Sequence, residues 1–151
     1  MILCKVGFMA AASLVAISLA NGQSARAAGK KAANETNDSS VARGKYLVDG
    51  IAVCGQCHTP RDSSGAPDRS HWLEGAPVWL KPAAPAEDWP LQAPRIAGTP
   101  PGTDAEMVKL LTTGIWRDGK FLRPPMPQFR MSPQDAESVV AYLKSLQPAP
   151  R

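Results

Sequence analysis

The chain has 151 residues, enough for one domain with part of the length left over. Charged residues make up 20% and the formal net charge is +4, too moderate to nominate a nucleic-acid binder. Fifteen Pro and twelve Gly against two Tyr and three Phe point to a small, loop-rich fold.

Residues 1–27 have the layout of a secretory signal peptide: Lys5 near the start, an apolar run from Phe8 to Ala20, then Ala25-Arg26-Ala27 as an A-x-A cleavage pattern. A retained membrane anchor is the alternative, but the run is short of the ~20 residues a span needs. Membrane association is therefore expected only if the leader is retained. Cys4 precedes the apolar run, whereas a lipid-attachment site would follow it. The expected location is periplasmic. Without residues 1–27 the chain keeps 15 basic and 13 acidic side chains, a formal +2, and two cysteines.

Residues 28–40 are small, polar and unpatterned, and read as a disordered lead-in. A first helix is predicted to start after Ser39 or Ser40, either of which can cap it. Val41, Gly44, Val48 and Ile51 give it an apolar or small face. It runs into Cys54, Cys57 and His58.

Residues 59–102 lack periodicity and are dense in Pro and Gly, which argues against long helices or central strands. A loop this long is reasonable only if something other than protein supplies the core it wraps. A second helix is signalled by Thr103 and Glu106 as a capping box, an apolar face of Met107, Leu110 and Leu111, and Gly114 as a left-handed stop. A third has Ser132 as cap, Pro133 at the first helical position and Asp135 at the positive end. Its stripe is Ala136, Val139, Val140, Leu143 and Leu146, and Pro148 and Pro150 stop it. Residues 148–151 are a tail. No stretch reads as an alternating strand, so the fold class is all-α.

Cys-x-x-Cys-His is the attachment pattern of c-type haem. Two thiols add to the porphyrin vinyl groups, and the next residue sets an imidazole over the ring. Cys54 and Cys57 are then the tethers and His58 the proximal iron ligand, with one haem c per chain. The rivals are weaker. A disulfide between cysteines three apart closes too small a loop to staple a fold. A thioredoxin-like dithiol needs a β-α-β pattern, and a zinc site needs four ligands, for which His71 is a distant fourth.

The sixth iron position is expected to be Met126, held between Pro125 and Pro127. The bland reading, loose core packing, is the usual fate of a methionine. His71 is the rival ligand, although a lone loop histidine is more often a surface residue. Met131 reads as a staple beneath the last helix and Met107 as core.

With these pieces in place the chain resembles the class I c-type cytochromes, most of all the monohaem domains that accompany bacterial periplasmic dehydrogenases of alcohols, sugars or heterocycles. "ARGKYLV", "CGQCHTPR", "AEMVKLLTTGIWRDGKFLRPPMP" and "MSPQDAESVVAYLKSL" carry the resemblance, over about residues 41–147. It implies three or more helices and long loops wrapped around one haem. It also implies a crossing of the first and last helices at Gly44, with Tyr142 over it, and a proline carbonyl, Pro77 or Pro94, that orients His58. The implied function is a non-catalytic carrier of single electrons between a dehydrogenase and the respiratory chain. Its partners would be a periplasmic dehydrogenase, a terminal oxidase or another cytochrome. The alternatives are a ligand-binding or sensing haem protein and a fixed relay subunit of a dehydrogenase complex. Docking is expected at a mainly apolar patch near Cys57, since haem propionates bring the formal +2 close to zero. Lys81, Arg117, Lys120 and Arg123 are the basic residues that would argue otherwise.

Overall fold

The structure is a computed structural model and describes residues 34–147. The expected leader, residues 28–33 and the tail from 148 lie outside the described residues. The architecture below is that of the compact unit that begins at Asn37.

Helix α1 is in place at residue 34 and runs to 46, where it passes into a π-helical turn, Leu47–Ile51. A four-residue helix α2 follows (Gly55–His58), then a 3₁₀ turn, Arg69–His71. Two-residue strands β1 (Ala76–Pro77) and β2 (Gln92–Ala93) pair antiparallel, with Ala76 opposite Ala93. Helices α3 (Asp104–Thr113) and α4 (Pro133–Ser145) complete the order.

The caps of α3 and α4 are as expected. The Thr103 hydroxyl accepts from the Glu106 amide at 3.3 Å while Glu106 Oε2 accepts from the Thr103 amide at 2.8 Å. Gly114, at φ +72°, ends α3 in the left-handed region and donates to the Leu110 carbonyl at 2.8 Å. Ser132 Oγ accepts from the Asp135 amide at 3.1 Å, with Pro133 leading α4. Helix α4 ends at Ser145, one residue short of Leu146, which is the extended C-cap and still packs on the core.

The N-terminal part departs from expectation in three ways. Residues 34–40 are helical, not a disordered lead-in. Ser39 and Ser40 lie inside α1 and not at its start; Ser40 Oγ meets Ser138 Oγ of α4 at 3.2 Å. Ile51 is 59% exposed, not on the buried face. The π turn is the reason: its extra residue rotates the face, so that Leu47 and Val48 turn inward and Ile51 turns out.

The core joins Leu47 and Val48 to Met107, Leu110 and Leu111 of α3 and to Ala136, Val139, Val140, Tyr142 and Leu143 of α4. The Pro-rich segment contributes Leu73, Ile96 and Ala97 to the same core. Three hydrogen bonds fix that contribution: the Leu73 carbonyl accepts from the Ile96 and Ala97 amides at 2.9 and 3.1 Å, and the Gly98 amide donates to the Leu143 carbonyl at 2.8 Å. The two short strands are an addition to the all-α expectation, made by the same folding back of the loop.

Gly44 stands where α1 meets α4. A Cβ there would lie 2.6 Å from the Ser138 carbonyl carbon and 2.7 Å from Tyr142 Cβ. Only a residue with no side chain allows this approach. Arg43 Nε donates to Asp135 Oδ1 at 2.9 Å at the rim of the same contact.

Candidate functional site

Helix α2 is a single turn, and it carries the whole Cys-x-x-Cys-His motif. The Cys57 and His58 amides both donate to the Cys54 carbonyl, at 3.2 and 3.0 Å. The turn thus carries two thiols and one imidazole within five residues. Val53 precedes it at φ +45°, a left-handed position that β-branched residues rarely take. Local strain of this sort is held in place by surrounding structure and clusters at functional sites.

Three contacts hold the turn from outside. Gly55 lies against Trp72: a Cβ there would sit 2.8 Å from Trp72 Cζ2 and closer still to the ring tip. The His58 carbonyl accepts from the Gly75 amide at 2.8 Å. Thr59, 1% exposed, accepts from the Leu73 amide through Oγ1 at 3.0 Å. No pattern in the sequence singles out Trp72 or Thr59. A glycine inside the motif was the available signal that something bulky packs there.

His58 is buried, 6% exposed, and its Nδ1 lies 2.7 Å from the Pro94 carbonyl. A carbonyl only accepts, so Nδ1 carries the proton and the lone pair is left on Nε2. Between the two proline carbonyls that could orient the ring, the structure selects Pro94. Burial holds the His58 pKa below its ordinary 6.5, against the opposing effect of the Pro94 bond. The ring is therefore neutral near pH 7, the form a metal needs.

Cys54 and Cys57 are both half-buried free thiols. Burial, reinforced by the charge of Asp49, pushes the Cys54 thiol up to about 11, so that it remains a thiol at neutral pH. Two cysteines three apart and one neutral imidazole with a fixed tautomer, all on one turn, suit a doubly tethered haem with a histidine-ligated iron.

The other expected residues fall in separate places. Met126, in the loop between α3 and α4, is half-buried and packs against the same core that Cys54 touches. Met107 is core at 4% exposed. Met131 is half-buried, its amide donating to the Leu111 carbonyl at 3.1 Å. His71 is on the surface, with its Nδ1 2.9 Å from Asp68 Oδ2. Among the described residues no group of three or more His, Cys, Asp or Glu is close enough to hold a metal ion on its own. The zinc alternative, with His71 as fourth ligand, has no support in this arrangement. Among the described residues, no helix is long and apolar enough to cross a membrane.

Comparison with known proteins places this geometry. The family model "Cytochrome c" matches residues 41–147. The chain is 31% identical over 123 residues to the fructose dehydrogenase cytochrome subunit of Gluconobacter japonicus, covering 75% of this chain and 23% of that relative. It is 29% identical over 121 residues to the cytochrome c subunit of the alcohol dehydrogenase (quinone) of Komagataeibacter europaeus, covering 75% of this chain and 26% of the relative. It is also 32% identical over 117 residues to one subunit of the nicotinate dehydrogenase of Pseudomonas putida, covering 72% and 9%. The chain thus spans about a quarter or less of the length of these relatives. With the motif on one turn, the neutral His58 and a family match over nearly all the described residues, the chain belongs to the cytochrome c family, whose members hold haem c covalently.

Proposed function

We propose that this chain is a periplasmic monohaem cytochrome that moves one electron at a time between a dehydrogenase and the respiratory chain, without catalysing a reaction of its own. The observation that carries the reading is the α2 turn, with Cys54, Cys57 and a His58 whose proton is committed to Pro94. It is supported by likeness to cytochrome subunits of dehydrogenases over three-quarters of the chain.

Cys54 and Cys57 would hold one haem by thioether bonds, and His58 Nε2 and Met126 Sδ would be its axial ligands. The haem supplies a one-electron couple, and a thioether ligand favours the reduced state. The protein's own residues set the conditions for it. Pro94 fixes the His58 ring and raises its basicity as a ligand. Burial keeps that ring neutral. Pro125 and Pro127 stiffen the backbone on either side of Met126. The exposed His71, committed to Asp68, is assigned no role at the iron.

A fixed relay subunit is the second reading, favoured by one observation: the relatives are named as subunits and are several times longer than this chain. The test is reduction of the holoprotein by fructose dehydrogenase or by alcohol dehydrogenase (quinone), each with its own substrate. A soluble carrier is reduced in second-order fashion and diffuses on to an oxidase. Co-purification with one dehydrogenase at fixed stoichiometry, with no reduction of added free protein, would favour the relay. Peroxide turnover at enzyme-like rates would overturn both.

A further inference from the structure

The turn that leads into the motif, Leu47–Ile51, is apolar but for glycine and one acid, Asp49. One oxygen of its carboxylate, Oδ2, accepts from Lys45 Nζ on α1. The other, Oδ1, is buried and has no hydrogen-bond partner among the described residues. A buried acceptor without a donor costs free energy, and an ion pair made only for stability would leave both oxygens in water. Here the fold keeps one of them inside, five residues ahead of the first tether.

The backbone sets Asp49 beside Cys54. The Cys54 amide donates to the Val48 carbonyl at 3.1 Å and the Ala52 amide to the Leu47 carbonyl at 2.7 Å, so the chain from 47 to 54 is wound on itself. The charge of Asp49 also reaches the Cys54 thiol and helps to push it up. The neighbouring cations are Lys45 and Arg69, and both are exposed. Lys45 Nζ lies 6.0 Å from the Tyr142 ring centroid, and the Arg69 guanidinium is stacked on Trp72, 3.7 Å from its centroid. The Lys45 side chain is 60% exposed and that of Asp49 only 19%. The field of the cations is screened by water, whereas that of the inner oxygen acts through protein.

We propose that the Asp49 carboxylate, held beside the Cys54 tether with one oxygen inside the fold, biases the haem toward its ferric state and so lowers the reduction potential of the carrier. A fixed negative charge opposes the loss of positive charge when ferric iron takes one electron and becomes ferrous. This rests on the carrier reading above and adds the residue that tunes it.

The test is a spectroelectrochemical titration of the holoprotein, with the ferrous-to-ferric ratio read from the visible spectrum. Asp49→Asn keeps the shape and removes the charge. At the wild-type midpoint its ferrous-to-ferric ratio should rise about threefold, ~28 mV for a one-electron couple. Lys45→Gln removes the outer cation and leaves the carboxylate unopposed. It should move the ratio the other way, and by less, because Lys45 is exposed. The opposite signs separate charge from packing: a loosened turn that admits water to the haem would shift both variants alike. Equal potentials in wild type and Asp49→Asn, or shifts of one sign in the two variants, would overturn the proposal. If Asp49→Asn gives no holoprotein, Lys45→Gln decides alone, and an unchanged or raised ratio there overturns it. Failure of the carrier reading gives a different result: the potentials shift as stated, but no dehydrogenase reduces the wild-type protein.

Discussion

Gly44→Ala tests the α1–α4 crossing on which the site rests. An added Cβ would stand 2.6 Å from the Ser138 carbonyl carbon, against the 3.4 Å at which ordinary contact begins. The obstacle is backbone, so no rotamer change relieves it and the helices must separate. A radial gap of roughly 0.5–1 Å forfeits a quarter to a half of the dispersion well of the atoms drawn apart. Tyr142 stands at that contact and belongs to the same buried core as Val48 and Val139. Overpacking of this kind costs up to about 3 kcal/mol, and alanine's better helix propensity returns about 1 kcal/mol. The net loss is about 2 kcal/mol, a drop in Tm on the order of 10 °C for a domain of this size. Gly44→Val should lose more, since its branched chain returns less propensity and adds bulk. The assay is thermal unfolding of the holoprotein followed by far-ultraviolet circular dichroism. A Gly44→Ala protein that melts within about 2 °C of wild type, a small fraction of that drop, would refute the crossing.

Met126→Ala should abolish the weak sulfur-to-iron absorption band and open the iron to carbon monoxide or cyanide, while Met131→Ala does neither; a spectrum that responds to His71→Ala instead would show the sixth ligand to be wrongly assigned. Asp68 lies low, at about 2, held there first by the Ser70 hydroxyl and then by His71, whose own pKa is raised by Asp68. The carboxylate's contribution to stability is present above the ordinary value of 3.8 and fades as pH falls to about 2. The histidine's is complete below 6.5 and fades as pH rises through its raised value. Both groups are exposed and screened, so the readout is the titration itself: Asp68→Asn should bring the His71 pKa, followed by NMR, back toward 6.5. Thr103→Ala removes half of the α3 capping box and should cost about 1 kcal/mol, read as a lower urea midpoint at unchanged slope.

The motif was legible because covalent attachment fixes its spacing locally: nothing distant decides where Cys54, Cys57 and His58 stand in sequence. The caps at Thr103 and Ser132 and the stop at Gly114 were legible for a similar reason, since a hydrogen bond to the third residue on, or a positive φ, is a property of a few neighbouring residues. Residues 34–40 were misread because Asn, Asp and Ser compete with a helix by bonding their own backbone. What holds them is continuation from α1, whose Gly44 face is fixed by α4 nearly a hundred residues away. The outward turn of Ile51 was hidden because a π turn breaks the period on which the apolar face was counted. Pro77 and Pro94 were equal candidates in sequence; the choice depends on how the loop folds back through Leu73, Ile96 and Ala97. Trp72 over Gly55 is a contact of the same long loop, and no local pattern announces it.

The most direct measurement is the intact mass and haem stain of the protein after export from a host that matures c-type cytochromes, both taken under denaturing conditions. The account predicts a chain heavier by one haem, stained after denaturation, with the added mass lost when Cys54 and Cys57 are both replaced by Ser. An unmodified mass, a stain that washes away on denaturation, or a second haem on the same chain would contradict it.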